Sequence, residues 1–473
     1  MVVAHSAARA ASRIEGWKLG ALVFLAFAQL IYSLDINIVF VALPKIGKGL
    51  GFSSQTLQWV ISAYMVLCGG MLLLGGRAAD LMGQRRMFIF ALYLYAVSSF
   101  AGGLAWSPAV VVTARAVQGI GAAFLFPATL SLVNRLFVEG AERNKALAVW
   151  GGAGASGLTI GALAGGFLTA LWGWPAIFFV NVVLAAIVIA GAVAFIPKDR
   201  LSVERRGFDL PGALTATAGA TLLVFSLVQG PEFGWTTPAI VWSLVLCAAL
   251  LVLFVFIEAM SVVPLMPLRL FRNRNVVGGA IITFLYMASF GALPYFETVL
   301  FQDVQHFTAL QTGFAFVAPS VAIMAGTQFG ARMATRQSSR RALFTGILIG
   351  AVGTVMLALA ATAEGHYLHA LPGLVVSGIG QGIVWTAMWI MAATGVRDEE
   401  QGIASGIAST TLSVGNAVGL AVLIATANGR SLALEHDYSS EVATASGIQL
   451  ALLFAAVGMI LCVVPTLIGQ RRI

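Results

Sequence analysis

Residues 19–43 read LGALVFLAFAQLIYSLDINIVFVAL, an apolar run interrupted by one ionisable side chain, Asp35. A bilayer core about 30 Å thick is crossed by about 20 helical residues, so this run is long enough to span a membrane. It also carries an acid where hydrocarbon disfavours one. Thirteen more apolar runs follow, and spans are expected near 18–43, 57–75, 87–105, 109–133, 146–170, 175–196, 211–229, 236–257, 276–301, 312–331, 342–362, 368–392, 402–427 and 446–468. Little chain remains for a soluble domain. The fold class is an all-α integral membrane protein with 14 transmembrane helices.

Composition agrees, with 59% hydrophobic and 10% charged residues, where a soluble domain carries about 25% charged. In a soluble chain the net charge of +8 would suggest nucleic acid. Here the positions of the basic residues report orientation instead. With the N-terminus inside, one set of connecting segments, beginning with Arg9, Arg13 and Lys18, holds 23 Lys/Arg, and the opposite set holds 3: Lys45, Lys48 and Arg430. The remaining basic residue, Arg115, lies inside span four. Both termini are therefore expected in the cytoplasm, in the cell (inner) membrane of a bacterial-type cell, with no nucleic-acid partner. The first sixteen residues lack the apolar region and cleavage site of a removable signal, so span one is read as an uncleaved anchor.

Cys68, Cys247 and Cys462 fall in separate spans and read as small buried apolar residues, forming neither disulfides nor a metal site. Neither a GxxxxGK[ST] phosphate loop nor a Ser/His/Asp arrangement occurs, so ATP-driven and hydrolytic chemistry are not indicated. No organic cofactor or metal is implied, and the chain does not read as an enzyme.

The chain repeats itself. Gly75–Arg86 reads GGRAADLMGQRR, and 255 positions later Gly330–Arg341 reads GARMATRQSSRR. Arg332, Arg340 and Arg341 match Arg77, Arg85 and Arg86, while Asp80 becomes Thr335 and Gly83 becomes Ser338. Gly119 and Gly121 recur as Gly378 and Gly380, and Gly161 and Gly165 as Gly415 and Gly419, at nearly the same offset. A duplicated six-helix unit follows. The expected organisation is an N-terminal six-helix bundle over 1–200, two inserted helices with a linker over 201–275, and a C-terminal six-helix bundle over 276–473. Parallel repeats of this kind suit alternating access around a site near the midplane.

These residues resemble the major facilitator superfamily, and within it the fourteen-span drug:proton antiporters. Gly76, Arg77, Asp80, Gly83, Arg85 and Arg86 are similar to that family's loop between spans two and three, which implies a conformational gate. Leu34–Pro44, LDINIVFVALP, resembles the span-one motif and implies Asp35 as proton acceptor. Arg115, Gln118, Gly119 and Gly121 resemble the span-four motif, implying that Arg115 and Gln118 share in proton transfer. Gly157–Gly166, GLTIGALAGG, resembles the antiporter motif through Gly157, Gly161, Gly165 and Gly166, with Ala162 where the family has proline. WGWPAIFFVN from Trp172 and PLMPLRLFRNRN from Pro264 resemble the same branch. The superfamily usually works as a monomer in the bilayer.

The chemistry of single residues points the same way. Burial favours the protonated form of a carboxyl and a nearby cation the ionised form, so an acid at position 35 is suited to loading and releasing a proton. Arg115 stays charged and can hold a carboxylate or water network. Glu297, near the outer end of span nine beside Pro294, is a candidate for cation recognition or a second proton site. Asp209 and Glu258 read as solvated helix ends.

In the superfamily architecture spans one, two, four, nine and twelve surround the cavity. Tyr32, Tyr64, Phe126, Phe290, Tyr295, Trp385 and Trp389 are then candidates for binding flat lipophilic compounds. Span ten contributes Gln328 and no acid, so divalent cations suit the cavity less than monovalent or neutral amphiphiles. The functional expectation is proton-coupled multidrug efflux by alternating access, with protons as the coupling ion. The alternatives are a dedicated exporter of one metabolite, lipid or antibiotic, proton-coupled uptake, and a membrane protein that transports nothing.

Overall fold

The computed structural model describes residues 16–468 apart from 53, 58, 200–208, 262, 263, 265, 267, 398, 399, 435 and 436. Arg9, Arg13, the linker segment 201–208, and Leu265 and Pro267 of the run from Pro264 lie outside the described residues. Fourteen helices are long and apolar enough to cross a membrane, and no strand occurs among the described residues. They are α1 (Gly16–Leu50), α2 (Trp59–Met82), α3 (Gln84–Gly103), α4 (Pro108–Leu136), α5 (Ala141–Leu171), α6 (Ala176–Phe195), α7 (Leu210–Phe233) and α8 (Pro238–Met260). The remaining spans are α9 (Arg274–Val304), α10 (Leu310–Arg336), α11 (Ser339–Ala360), α12 (Tyr367–Ala393), α13 (Gln401–Leu434) and α14 (Ser440–Thr466).

Local chemistry sets the helix ends. Asp209 accepts from the Gly212 N–H at 2.9 Å to cap α7, and Thr308 with Gln311 forms a capping box before α10. Both Asp209 and Glu258 are buried rather than solvated. Each carboxylate accepts from a backbone N–H, Glu258 from that of Met266 at 3.1 Å, which corrects the sequence expectation. Between α2 and α3 the segment read as a loop is helical through Met82, and the chain turns on Gly83 alone, at φ 98°. That left-handed backbone favours glycine. The span α9 breaks at a turn over Phe290–Ala292, just before Pro294, and ends in one π-helical turn, Leu300–Val304. Proline removes a backbone donor, which accounts for a break at this point.

Packing repeats with the sequence. In the first bundle α1 lies against α5 and α6, α2 against α4, and α3 against α4 and α6. In the second, α9 lies against α13 and α14, α10 against α12, and α11 against α12 and α14. Gly161 and Gly165 meet the backbone of α1 at Leu34 and Ile38, and Gly415 and Gly419 meet that of α9 at Phe284 and Ala288, leaving no room for a Cβ. The bundles meet along two seams, α2 with α13 and α5 with α10. The inserted α7 covers the first seam, touching both α2 and α13, while α8 packs principally on α7 and is mostly exposed. At Gly69 a Cβ would lie 3.2 Å from Val224 of α7 and 3.6 Å from Ser413 of α13, so three helices converge there.

Candidate functional site

Asp35 lies on α1 with no exposed surface. Its Oδ2 accepts from Arg115 Nη1 of α4 at 2.6 Å, and its Oδ1 from Gln118 Nε2 of α4 at 3.0 Å and Asn181 Nδ2 of α6 at 2.7 Å. Arg115 donates further to Gln118 Oε1 at 2.7 Å and to the Val60 carbonyl at 3.0 Å, and its guanidinium sits 4.3 Å from the Tyr64 ring centre. Gln118 Nε2 also reaches Ser99 Oγ of α3 at 2.9 Å. One acid, one base and their amides thus tie α1, α3, α4 and α6 together, with α2 supplying a carbonyl and a ring. A pair this deep is held because three donors meet the carboxylate and the guanidinium has further acceptors in Gln118 and Val60; removing one partner of a buried ion pair costs about 3–5 kcal/mol.

The structure therefore brings Asp35, Arg115 and Gln118 together. It adds Asn181 and Ser99, which sequence reasoning did not select. Asn181 ends the run WGWPAIFFVN and is buried in the strongly apolar α6; a lone amide in such a helix was the available signal. Tyr64 belongs to this network rather than to a cavity.

The loop motif divides into two sites. Asp80 of α2 accepts from the backbone N–H of Gly402 at 2.9 Å and of Ile403 at 2.8 Å, at the start of α13 in the other bundle. A carboxylate there satisfies donors that have no partner within their own helix and meets the positive end of the helix dipole. Gly76 faces Gly402 and Gly406 of the same helix, and Arg77 is buried alongside.

Gly83, Arg85 and Arg86 face instead Asp199, which follows α6 in the same bundle. Its carboxylate accepts from the N–H of Arg85 at 3.1 Å and of Arg86 at 3.0 Å and pairs with Arg135 at 3.3 Å. Asp199 is a second capping acid missed in the sequence, because nothing in its local spacing links it to residues 114 positions earlier. At the pseudo-equivalent seam Thr335 Oγ1 accepts from Asn144 Nδ2 at 2.9 Å. The latch on one seam is ionic and on the other neutral.

Of the four motif glycines, Gly157, Gly161 and Gly165 press on the α1 backbone, while Gly166 has only Val41 at 3.9 Å. The helix α5 is unbroken at Ala162.

Tyr32, Phe126, Phe290, Trp385 and Trp389 fall in one chain of rings crossing from bundle to bundle. Tyr32 meets Phe126 at 5.0 Å, Phe126 meets Trp150 at 5.4 Å and Trp389 at 5.8 Å, and Trp150 stacks on Trp385 at 6.2 Å. Trp385 touches Tyr286, which touches Phe290. Trp150 of α5 is the central ring missed from sequence, since α5 was not among the spans taken to surround the cavity.

Tyr295 stands apart, 44% exposed. Gln328 is half-buried. Glu297 is 5% exposed and shares a helical face with Leu293, Leu300 and Phe301, which are buried within the second bundle. No hydrogen-bond or ion-pair partner meets its carboxyl among the described residues, and Tyr367 is the nearby titratable group.

The seam is sealed at the basic face. Residues 125–134 of α4, 386–393 of α12 and 401–409 of α13 are all buried. Towards the opposite face exposure rises along one side of α1, from Ala28 through Tyr32 and Ile36 to Phe40 at 47%. Near the Asp80 latch runs a narrow crevice lined by Leu130, Asn134, Trp389, Ala392, Gln401 and Ser405 among others.

Comparison with known proteins gives a consistent result. Residues 25–420 match the family model described as Major Facilitator Superfamily. The chain is 34% identical to the puromycin resistance protein pur8 of Streptomyces alboniger over 450 residues, covering 93% of this chain and 89% of that protein. It is 34% identical to the cephamycin export protein CmcT of Amycolatopsis lactamdurans, covering 94% and 92%. Its fold is similar to that of the human organic anion transporter MFSD10 (TETRAN), with a TM-score of 0.69 and 16% identity, over 96% of this chain and 100% of that one.

Proposed function

The chain belongs to the Major Facilitator Superfamily, among its drug and antibiotic exporters, and from that premise we propose that it exchanges protons for lipophilic compounds carried out of the cell. It is a transporter and not an enzyme. The observation that carries the proton-coupled reading is the closed network on Asp35. Protonation of that carboxyl removes the negative partner of Arg115 and weakens the acceptor shared by Gln118 of α4 and Asn181 of α6, so proton occupancy is tied to the packing of the bundle core. The graded exposure along α1 supports loading from the face opposite the basic one in this state. The positive-inside bias supports termini in the cytoplasm, and relatives named for antibiotic resistance and export support movement outward.

The ring chain spanning both bundles supports flat lipophilic substrates, neutral or monovalent, in a protein working as a monomer. No nucleic acid and no cofactor besides protons enters the reading. One proton crossing 100 mV supplies about 2.3 kcal/mol, enough for a roughly fortyfold gradient of a neutral substrate.

The test is efflux of puromycin, the compound in one relative's name, from proteoliposomes under an imposed pH gradient. Accumulation should collapse when nigericin dissipates the gradient. Efflux unaffected by that collapse would refute proton coupling. A second reading, a dedicated exporter of one antibiotic, is favoured by relatives named for single compounds; a panel of unrelated dyes and drugs separates the two, since a dedicated carrier ignores most of them.

A further inference from the structure

Five buried polar atoms at the seam between the bundles have no hydrogen-bond partner among the described residues: Asn134 Oδ1, Gln401 Oε1 and the indole Nε1 of Trp150, Trp385 and Trp389. Asn134 and Trp150 belong to the first bundle, and the other three to the second. Asn134 is 2% and Gln401 0% exposed. Gln401 spends its Nε2 on the Val396 carbonyl at 2.9 Å, which leaves its oxygen as the free end of the amide. Asn134, Gln401 and Trp389 line the same crevice. Buried polar groups are almost always paired in native proteins, so a cluster of unpaired ones from two moving parts asks for a partner in another state.

Charge is absent from the crevice lining. Asp35 is saturated by three donors inside the first bundle, Asp80 by two backbone amides, and Glu297 lies on the interior face of α9. A permanent cation docked among these rings gains ring-face attraction but no counter-ion. An uncharged molecule with a carbonyl or hydroxyl gains both stacking and hydrogen bonds.

We propose that the seam at the basic face is the inner docking site for an uncharged aromatic compound bearing amide or hydroxyl groups, received by Asn134, Gln401 and the three indoles when the bundles part there. This rests on the alternating-access reading above and narrows its substrate class.

The test is binding to the purified full chain in lipid nanodiscs, followed by tryptophan fluorescence, with chloramphenicol as the neutral aromatic amide and tetraphenylphosphonium as the permanent cation. Chloramphenicol should quench saturably, and Asn134→Leu and Gln401→Met should each weaken its binding about tenfold. Both substitutions should leave tetraphenylphosphonium affinity unchanged; Asn134→Leu should leave thermal stability equal or higher because it removes an unpaired oxygen, while Gln401→Met also loses the bond to the Val396 carbonyl and should lower it slightly. A second measurement is independent of those variants: maleimide labelling of Ser405→Cys should be slowed by chloramphenicol and not by tetraphenylphosphonium.

Absence of chloramphenicol binding by the wild-type chain, tighter binding of the cation, or equal loss of both ligands in the variants would each overturn the proposal. Loss of proton-driven efflux in proteoliposomes, with these binding results intact, would instead overturn proton coupling.

Discussion

Replacing Asp35 with asparagine removes one charge and almost no volume, so it isolates the role of the carboxylate. The three groups around it, Arg115 Nη1, Gln118 Nε2 and Asn181 Nδ2, are all donors. The new amide oxygen satisfies some of them, but the new NH₂ faces donors and Arg115 keeps an uncompensated charge. Breaking a buried pair from one side costs about 3–5 kcal/mol; with one acceptor retained, a loss near 3 kcal/mol is expected, more than a hundredfold in the unfolding equilibrium.

The double variant Asp35→Asn/Arg115→Gln removes both charges and should recover most of that loss, giving a coupling energy of about 2–3 kcal/mol in a double-mutant cycle. Stability is read by SDS unfolding, and coupling by substrate efflux after a pH jump in proteoliposomes. Both variants should lose proton-driven efflux, although the double variant is stable and still exchanges substrate down its gradient. Full proton-driven efflux in either one would refute the assignment of Asp35 as the proton carrier.

Asp80→Asn weakens the ionic cap on α13 by about 1 kcal/mol, so a cysteine at Ser405 should be labelled from the basic face several-fold faster. Asp199→Ala removes the corresponding cap on α3 inside one bundle; it should lower unfolding stability by about 1 kcal/mol while leaving that labelling rate unchanged. Glu297→Gln has no ion pair to break, so its stability should stay within about 0.5 kcal/mol of wild type, in contrast to Asp35→Asn under the same SDS titration.

The bilayer makes the fold legible, because a fixed hydrocarbon thickness turns apolar run length into helix count, and the glycine offsets show which helices repeat. Asp35, Arg115 and Gln118 were legible for the same reason: charge and amide inside apolar spans stand out. Contacts between distant segments were not. Asp199 caps α3 and Asp80 caps α13 through backbone amides, which have no side-chain signature, so one continuous motif divides between two jobs. Trp150 is one of many aromatic residues in apolar helices, and only the closeness of α5 to α12 makes it central. Glu297 was legible as an acid, but its facing into the bundle depends on the break before Pro294 and the π-helical turn after it.

Two like halves rocking against each other would show the surrounding lipid the same flank on either side. The added pair α7 and α8 removes that equivalence. On one flank α8 forms the outer surface, with α7 seated on both α2 and α13 at Gly69; on the other the α5–α10 junction has no such added pair over it. If the halves rock, leaflet composition and lateral pressure would then act on the two seams unequally, since the hull of this protein has a sheltered side and a bare one.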